Sequence, residues 1–121
     1  MRSLLLVDDD REGLEIRRLI FEHEGYDVTV ATGVSAARTA FSNHAPEFVV
    51  LDLRLPRAED GLALIREFRA HTPGVRIIVL SGWTADLKGR PESAMADAVL
   101  AKPVRSEKLI RTLAQARRAH E

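Results

Sequence analysis

Short apolar runs alternate with amphipathic stretches along the whole chain. Leu4-Leu5-Leu6-Val7, Phe48-Val49-Val50-Leu51 and Ile77-Ile78-Val79-Leu80 are apolar at every position. Strands read this way when helices cover both faces of a parallel sheet. The pattern predicts strands over residues 3–7, 27–31, 47–51, 76–80 and 98–101. The second mixes polar and apolar positions, as an edge strand does. Between the strands lie stripes at three-and-four spacing: Gly13, Ile16 and Ile20 with Leu19; Ala37, Ala40 and Phe41; Gly61, Leu64, Ile65 and Phe68; Leu109, Ile110 and Leu113. Gly25 and Gly74 read as helix stop signals, and Pro46 and Pro73 punctuate loops. Strict alternation of strand and helix implies βαβ units, so the fold class expected is α/β, a doubly wound sheet of five parallel strands. Residues 84–96 should hold the fourth helix, but Gly89, Arg90 and Pro91 interrupt the segment and predict a short or bent one.

Composition narrows the function classes. At 121 residues the chain suits one domain, residues 1–121, and 45% hydrophobic residues suffice for one core. Eighteen Lys and Arg balance eighteen Asp and Glu, so no global field favours nucleic acid or an anionic membrane. The one local basic concentration lies at 111–118, where Arg111, Arg117 and Arg118 read as a solvated helix face. The absence of cysteine excludes disulfide scaffolds and thiolate metal sites. No signal peptide or membrane span is visible, and the expectation is a soluble, cytoplasmic protein.

The chemistry gathers at predicted strand ends, where open parallel sheets bind ligands. The first strand ends in Asp8-Asp9-Asp10, the third in Asp52, the fourth in Ser81 and the fifth in Lys102-Pro103. Clustered carboxylates repel one another unless a cation sits among them, and an all-oxygen donor set favours Mg²⁺. A lysine and a hydroxyl facing the same point can bind phosphoryl oxygens, and a carboxylate can attack phosphorus to give an acyl phosphate. Asp10 is better read as a helix N-cap than as a metal ligand. His23, His44, His71 and His120 form no pair at ligand spacing and read as surface or helix-end groups.

The set Val7-Asp8-Asp9-Asp10, Leu51-Asp52-Leu53-Arg54-Leu55-Pro56 with Asp60-Gly61, Leu80-Ser81-Gly82 and Ala101-Lys102-Pro103 resembles the receiver domain of two-component response regulators over essentially the whole chain. The resemblance implies a CheY-like, flavodoxin-like strand order 2-1-3-4-5. Asp52 would accept a phosphoryl group from a histidine kinase, a phosphotransfer protein or a small phosphodonor. Asp8, Asp9, Asp52 and the backbone carbonyl of Arg54 would hold Mg²⁺. Ser81 and Lys102 would bind the phosphoryl oxygens, and the Lys102–Pro103 peptide would be cis. Such a chain catalyses only its own phosphorylation and dephosphorylation. It changes its helix 4–strand 5–helix 5 face for a downstream protein, an output domain or a homodimer partner, and makes no direct contact with nucleic acid or membrane. The chain reads as a stand-alone receiver or as the first domain of a longer regulator.

One position departs from the family pattern. Val99 stands where receivers usually carry Tyr or Phe, so the usual hydroxyl-to-aromatic relay from Ser81 is expected to be absent or altered. Trp83 and Arg54 are expected to stack across the pocket mouth. Two other classes compete. One is a phosphorylation-independent interaction module of the same fold. The other is a haloacid dehalogenase-type phosphatase using Asp8-x-Asp10, which lacks the further acidic pair such enzymes need.

Overall fold

The computed structural model describes residues 2–119. His120 lies outside them, as does the side chain of Arg118. Five strands, β1 (Arg2–Val7), β2 (Tyr26–Ala31), β3 (Phe48–Asp52), β4 (Arg76–Ser81) and β5 (Ala98–Ala101), form one parallel sheet in the order β2-β1-β3-β4-β5. This is the doubly wound, flavodoxin-like order expected, with the alternating strand β2 at an edge. The helices are α1 (Arg11–His23), α2 (Val34–His44), α3 (Ala58–His71), α4 (Glu92–Met95) and α5 (Ser106–Ala119).

The continuous apolar strands are buried on both faces. On one face Leu5, Val7, Val49, Leu51, Ile77 and Val79 pack against α2 and α3 through Ala37, Phe41, Leu64, Ile65 and Phe68. On the other, Leu4, Leu6, Phe48, Val50, Ile78 and Leu80 meet α1 and α5 through Leu14, Phe21, Leu109 and Leu113. Phe21, Tyr26 and Phe48 stack edge to face at 5.5 and 5.7 Å, and Phe41 lies flat against Phe68 at 4.0 Å.

The stripe expected on the first helix is corrected. Ile16 and Leu19 are 61% and 56% exposed, while Leu14 and Phe21 are buried. The buried face runs Leu14, Arg17, Arg18, Phe21, and the two arginines are half-buried within it. Long cationic side chains can lay their methylene stems on an apolar surface and keep the charge at its rim, which hides such a face from a hydrophobicity pattern. Arg117, expected on a solvated face, is half-buried, whereas Arg111 is exposed.

Gly25 takes φ +93 just past α1, as a stop signal should. Gly74 does not play that part. α3 ends at His71, and Gly74 lies in a turn closed by Val75 N–H donating to the Thr72 carbonyl at 3.0 Å. α2 instead ends on Ala45 in the left-handed region, φ 43. His23, His44 and His71 each close a helix and are exposed.

The fourth helix is as short as its sequence implies: a 3₁₀ turn over Thr84–Asp86, then one α-helical turn over Glu92–Met95. The Val99 side of β5 is left 43% exposed. Among the described residues, no helix is long and apolar enough to cross a membrane.

Candidate functional site

Register brings the polar strand ends together. Val7 pairs with Leu51, Asp52 with Leu80, and Ser81 with Ala101, so Asp8 and Asp52 stand at one level, with Ser81 one residue and Lys102 two residues beyond it at the same end of the sheet. Asp10 then starts α1, its carboxylate accepting from the Gly13 N–H at 3.2 Å. This N-cap role removes Asp10 from the acid cluster, as expected.

Asp8, Asp9 and Asp52 each offer a carboxylate oxygen, all within 4.8 Å of one another. Asp8 and Asp52 are 6% exposed. Lys102 Nζ donates to Asp52 Oδ2 at 2.8 Å. Burial raises the Asp8 carboxyl above the ordinary carboxylate range. The Asp10 N–H, donating to Asp8 Oδ1 at 3.1 Å, opposes the rise, Asp52 adds to it, and Lys102 opposes it. Three acids answered by the Lys102 ammonium at 2.8 Å and by Arg17 at 3.8 Å form a site short of positive charge. Their donors are all oxygen, the set a hard divalent cation takes, so these residues fit a Mg²⁺ ion.

A cavity of about 240 Å³ opens over the cluster, lined by Asp9, Asp52, Arg54, Trp83 and Lys102 among others. A larger depression of about 510 Å³ lies against α5, lined by Arg105, Glu107, Lys108 and Arg111, with one acid among three cations. Of the local basic concentration at 111–118, Arg111 lines this depression.

A model of the response regulator receiver domain matches residues 4–114. The chain belongs to this family. It is similar to the photosynthetic apparatus regulatory protein RegA of Rhodobacter capsulatus, 40% identical over 84 residues that make up 69% of this chain and 45% of RegA. It is also similar to the DNA-binding response regulator MtrA of Mycolicibacterium smegmatis, 36% identical over 111 residues, 90% of this chain and 47% of MtrA. The CheY-like receiver domain protein of Methanospirillum hungatei JF-1 superposes with a TM-score of 0.90 at 27% identity, covering 99% of this chain and 96% of that one. The chain spans about half the length of the curated relatives it matches.

Within this receiver, the cis Lys102–Pro103 peptide is present, and Leu55–Pro56 is cis as well. Ser81 is buried, and its hydroxyl is engaged with the next loop. It donates to the Trp83 carbonyl at 2.9 Å and accepts from the Trp83 N–H at 3.2 Å. To bind a phosphoryl oxygen, that hydroxyl must give up the carbonyl. Arg54 Cζ stands 5.3 Å from the centre of the Trp83 ring, so the pair expected at the pocket mouth does form.

Two partners at the site were not legible in the sequence. Asp86 accepts two hydrogen bonds from the Arg54 guanidinium, from Nε at 2.9 Å and Nη2 at 3.0 Å. Arg17 reaches from α1 to within 3.8 Å of Asp8 Oδ2. Asp86 sits in a segment without periodicity, and Arg17 occupies a core-facing helix position. Neither place carries a chemical signal.

Proposed function

We propose that the receiver is a phosphorylation-activated signalling switch in which Asp52 accepts the phosphoryl group. The convergence of Asp8, Asp9 and Asp52 with Lys102 held on Asp52 carries this reading. A carboxylate oxygen of Asp52 attacks phosphorus, the bond from phosphorus to the donor breaks, and an acyl phosphate forms. With a phosphohistidine donor the broken bond is P–N, and the leaving imidazole takes up a proton. Asp8, Asp9, Asp52 and the Arg54 backbone carbonyl would hold Mg²⁺, which supplies divalent charge to the phosphoryl oxygens when bound. Lys102 moves from Asp52 to a phosphoryl oxygen, keeping its charge where negative charge accumulates. Ser81 hydrogen-bonds a second oxygen. Positioning and charge suffice for phosphoryl transfer.

The donor is a histidine kinase or phosphotransfer protein. The exposed Ile16 and Leu19 lie on the helix that leaves the acid run, and such an apolar surface suits a docking protein. The signal passes to a downstream protein or output domain through the face built from residue 87 onward.

Intact mass after incubation with acetyl phosphate and Mg²⁺ tests the reading. One phosphoryl group should be gained by the parent, and none by Asp52→Asn or by the parent with chelator. No gain by the parent would leave a phosphorylation-independent interaction module as the better description.

A further inference from the structure

The chain between Trp83 and Asp97 is tied to the domain by a row of charged contacts as well as by Leu87, Met95 and Ala96 against the core. Leu87 is its one buried apolar side chain among the described residues. Four polar rungs run in order from the β3–α3 side. Arg54 binds Asp86, Glu59 binds Arg90 and Arg66 binds Glu92. Arg69 donates to the Met95 carbonyl and to Asp97.

The first rung differs from the rest because its cation stands in the site. Arg54 follows Asp52 by two residues and lines the same cavity. Its side chain is 47% exposed, so packing does not fix it in place. With a divalent ion bound, the three carboxylates are offset by the ion, the Lys102 ammonium and the Arg17 guanidinium beside Asp8, so the cluster has no net attraction for Arg54. A phosphoryl group on Asp52 brings close to two negative charges in place of one. The cluster's charge falls by about one, and Arg54 gains an acceptor stronger than the Asp86 carboxylate. Val99 offers no aromatic ring to follow the Ser81 hydroxyl instead.

We propose that Arg54 reads the state of Asp52, exchanging Asp86 for the phosphoryl group while keeping its place over the Trp83 ring, and so releasing residues 84–89. The lower rungs, from Glu59, Arg66 and Arg69, stay in place and confine the opening to the end nearest the site. This rests on Asp52 being the phosphoacceptor.

The exchange makes two substitutions act in opposite directions, because coupling between two binding events is reciprocal. Mg²⁺–beryllofluoride serves as the phosphoryl probe, titrated with Trp83 fluorescence as readout. Asp86→Asn removes the contact that must be broken and should bind the probe about 3–10-fold tighter than the parent. Arg54→Gln should bind it about 3–10-fold weaker, and adding Asp86→Asn to Arg54→Gln should restore nothing. Hydrogen exchange across residues 84–89 should quicken in the parent when the probe binds, and should already be fast in Asp86→Asn. Probe affinity unchanged or weakened by Asp86→Asn, or a gain that survives in the double variant, would overturn the exchange. A parent that binds no probe and gains no phosphoryl mass would overturn the phosphoacceptor reading and this one with it.

Discussion

Gly61, in the first turn of α3, sits against the backbone of Leu53. A Cβ built on it would lie 2.0 Å from the Leu53 carbonyl oxygen and 2.7 Å from the carbonyl carbon. Leu53 follows Asp52 and precedes Arg54, so this close approach sets how the β3–α3 loop carries both residues.

Replacing Gly61 with alanine therefore sets two effects against each other. Alanine in a helix interior is favoured over glycine by about 0.5–1 kcal/mol. A backbone oxygen cannot move aside like a flexible side chain, and overpacking costs about 1–3 kcal/mol. The steric cost wins. Gly61→Ala should lower unfolding stability in urea by about 1–2 kcal/mol net and reduce phosphoryl uptake. Gly33→Ala is the control. Its φ of −175 is ordinary extended backbone and nothing lies within 4 Å of the added methyl, so stability should be unchanged. Equal stability for both variants would mean the loop yields freely.

The two faces of α1 give the second prediction. Leu14→Ala should cost about 2–4 kcal/mol, because a buried leucine leaves a cavity. Ile16→Ala should change stability by less than about 0.5 kcal/mol. Chemical denaturation of both variants decides, and similar losses would mean that Ile16 is covered.

That helix also shows where the sequence could be read and where it could not. Continuous apolar runs reported β1, β3 and β4 because both faces of those strands are buried, and no other placement of Leu4 to Val7 satisfies them. The acid run, Asp52 and Lys102 were legible as chemistry because a parallel sheet sends every strand's C-terminal end to one side. The phase of α1 was not, since Arg17 and Arg18 take core-facing positions that a hydrophobicity pattern assigns to water. The rungs that hold residues 84–97 were hidden for a related reason. Ion pairs between α3 and a segment some 30 residues away leave no periodic trace, and Asp86, Arg90 and Glu92 look like any polar loop.

Asp8 links the site to stability. Burial raises its pKa in the folded chain, so the native state binds a proton more readily than the unfolded one. Stability from this group falls as pH rises through the raised value, and the penalty is complete above it. Asp8→Asn should then raise the melting temperature in chelator at pH 7 and flatten the gain the parent shows on mild acidification. Mg²⁺ should stabilise the parent, by about 2.7 kcal/mol at a hundredfold excess over Kd, and leave Asp8→Asn unmoved. Glu92 runs the other way. The N–H of its own backbone, followed by Arg66, holds its carboxyl below the usual range, so its contribution is present at neutral pH and lost as pH falls through the lowered value. Thermal melts across pH, with and without metal, separate the two. An Asp8→Asn protein no more stable than the parent in chelator would show that the cluster carries no such penalty.

Trp83 and Arg54 make the last prediction, on the lifetime of the acyl phosphate. Trp83 is 61% exposed, so its ring contributes little to the core, and its removal should leave the fold intact. Its position is nonetheless specific: its backbone holds the Ser81 hydroxyl, and its face receives the Arg54 guanidinium at 5.3 Å. An exposed cation–π contact is worth about 0.5–1 kcal/mol, equivalent to a factor of about 2–5 in rate if it shields the phosphoryl group from water. Trp83→Ala should thus lose phosphate about 2–5 times faster than the parent, while Trp83→Phe, which keeps an aromatic face, should fall between. Phosphate release from the purified acyl phosphate at fixed Mg²⁺ measures this. An unchanged rate in Trp83→Ala would show that the indole leaves water access as it was, and that the loop backbone alone sets the lifetime.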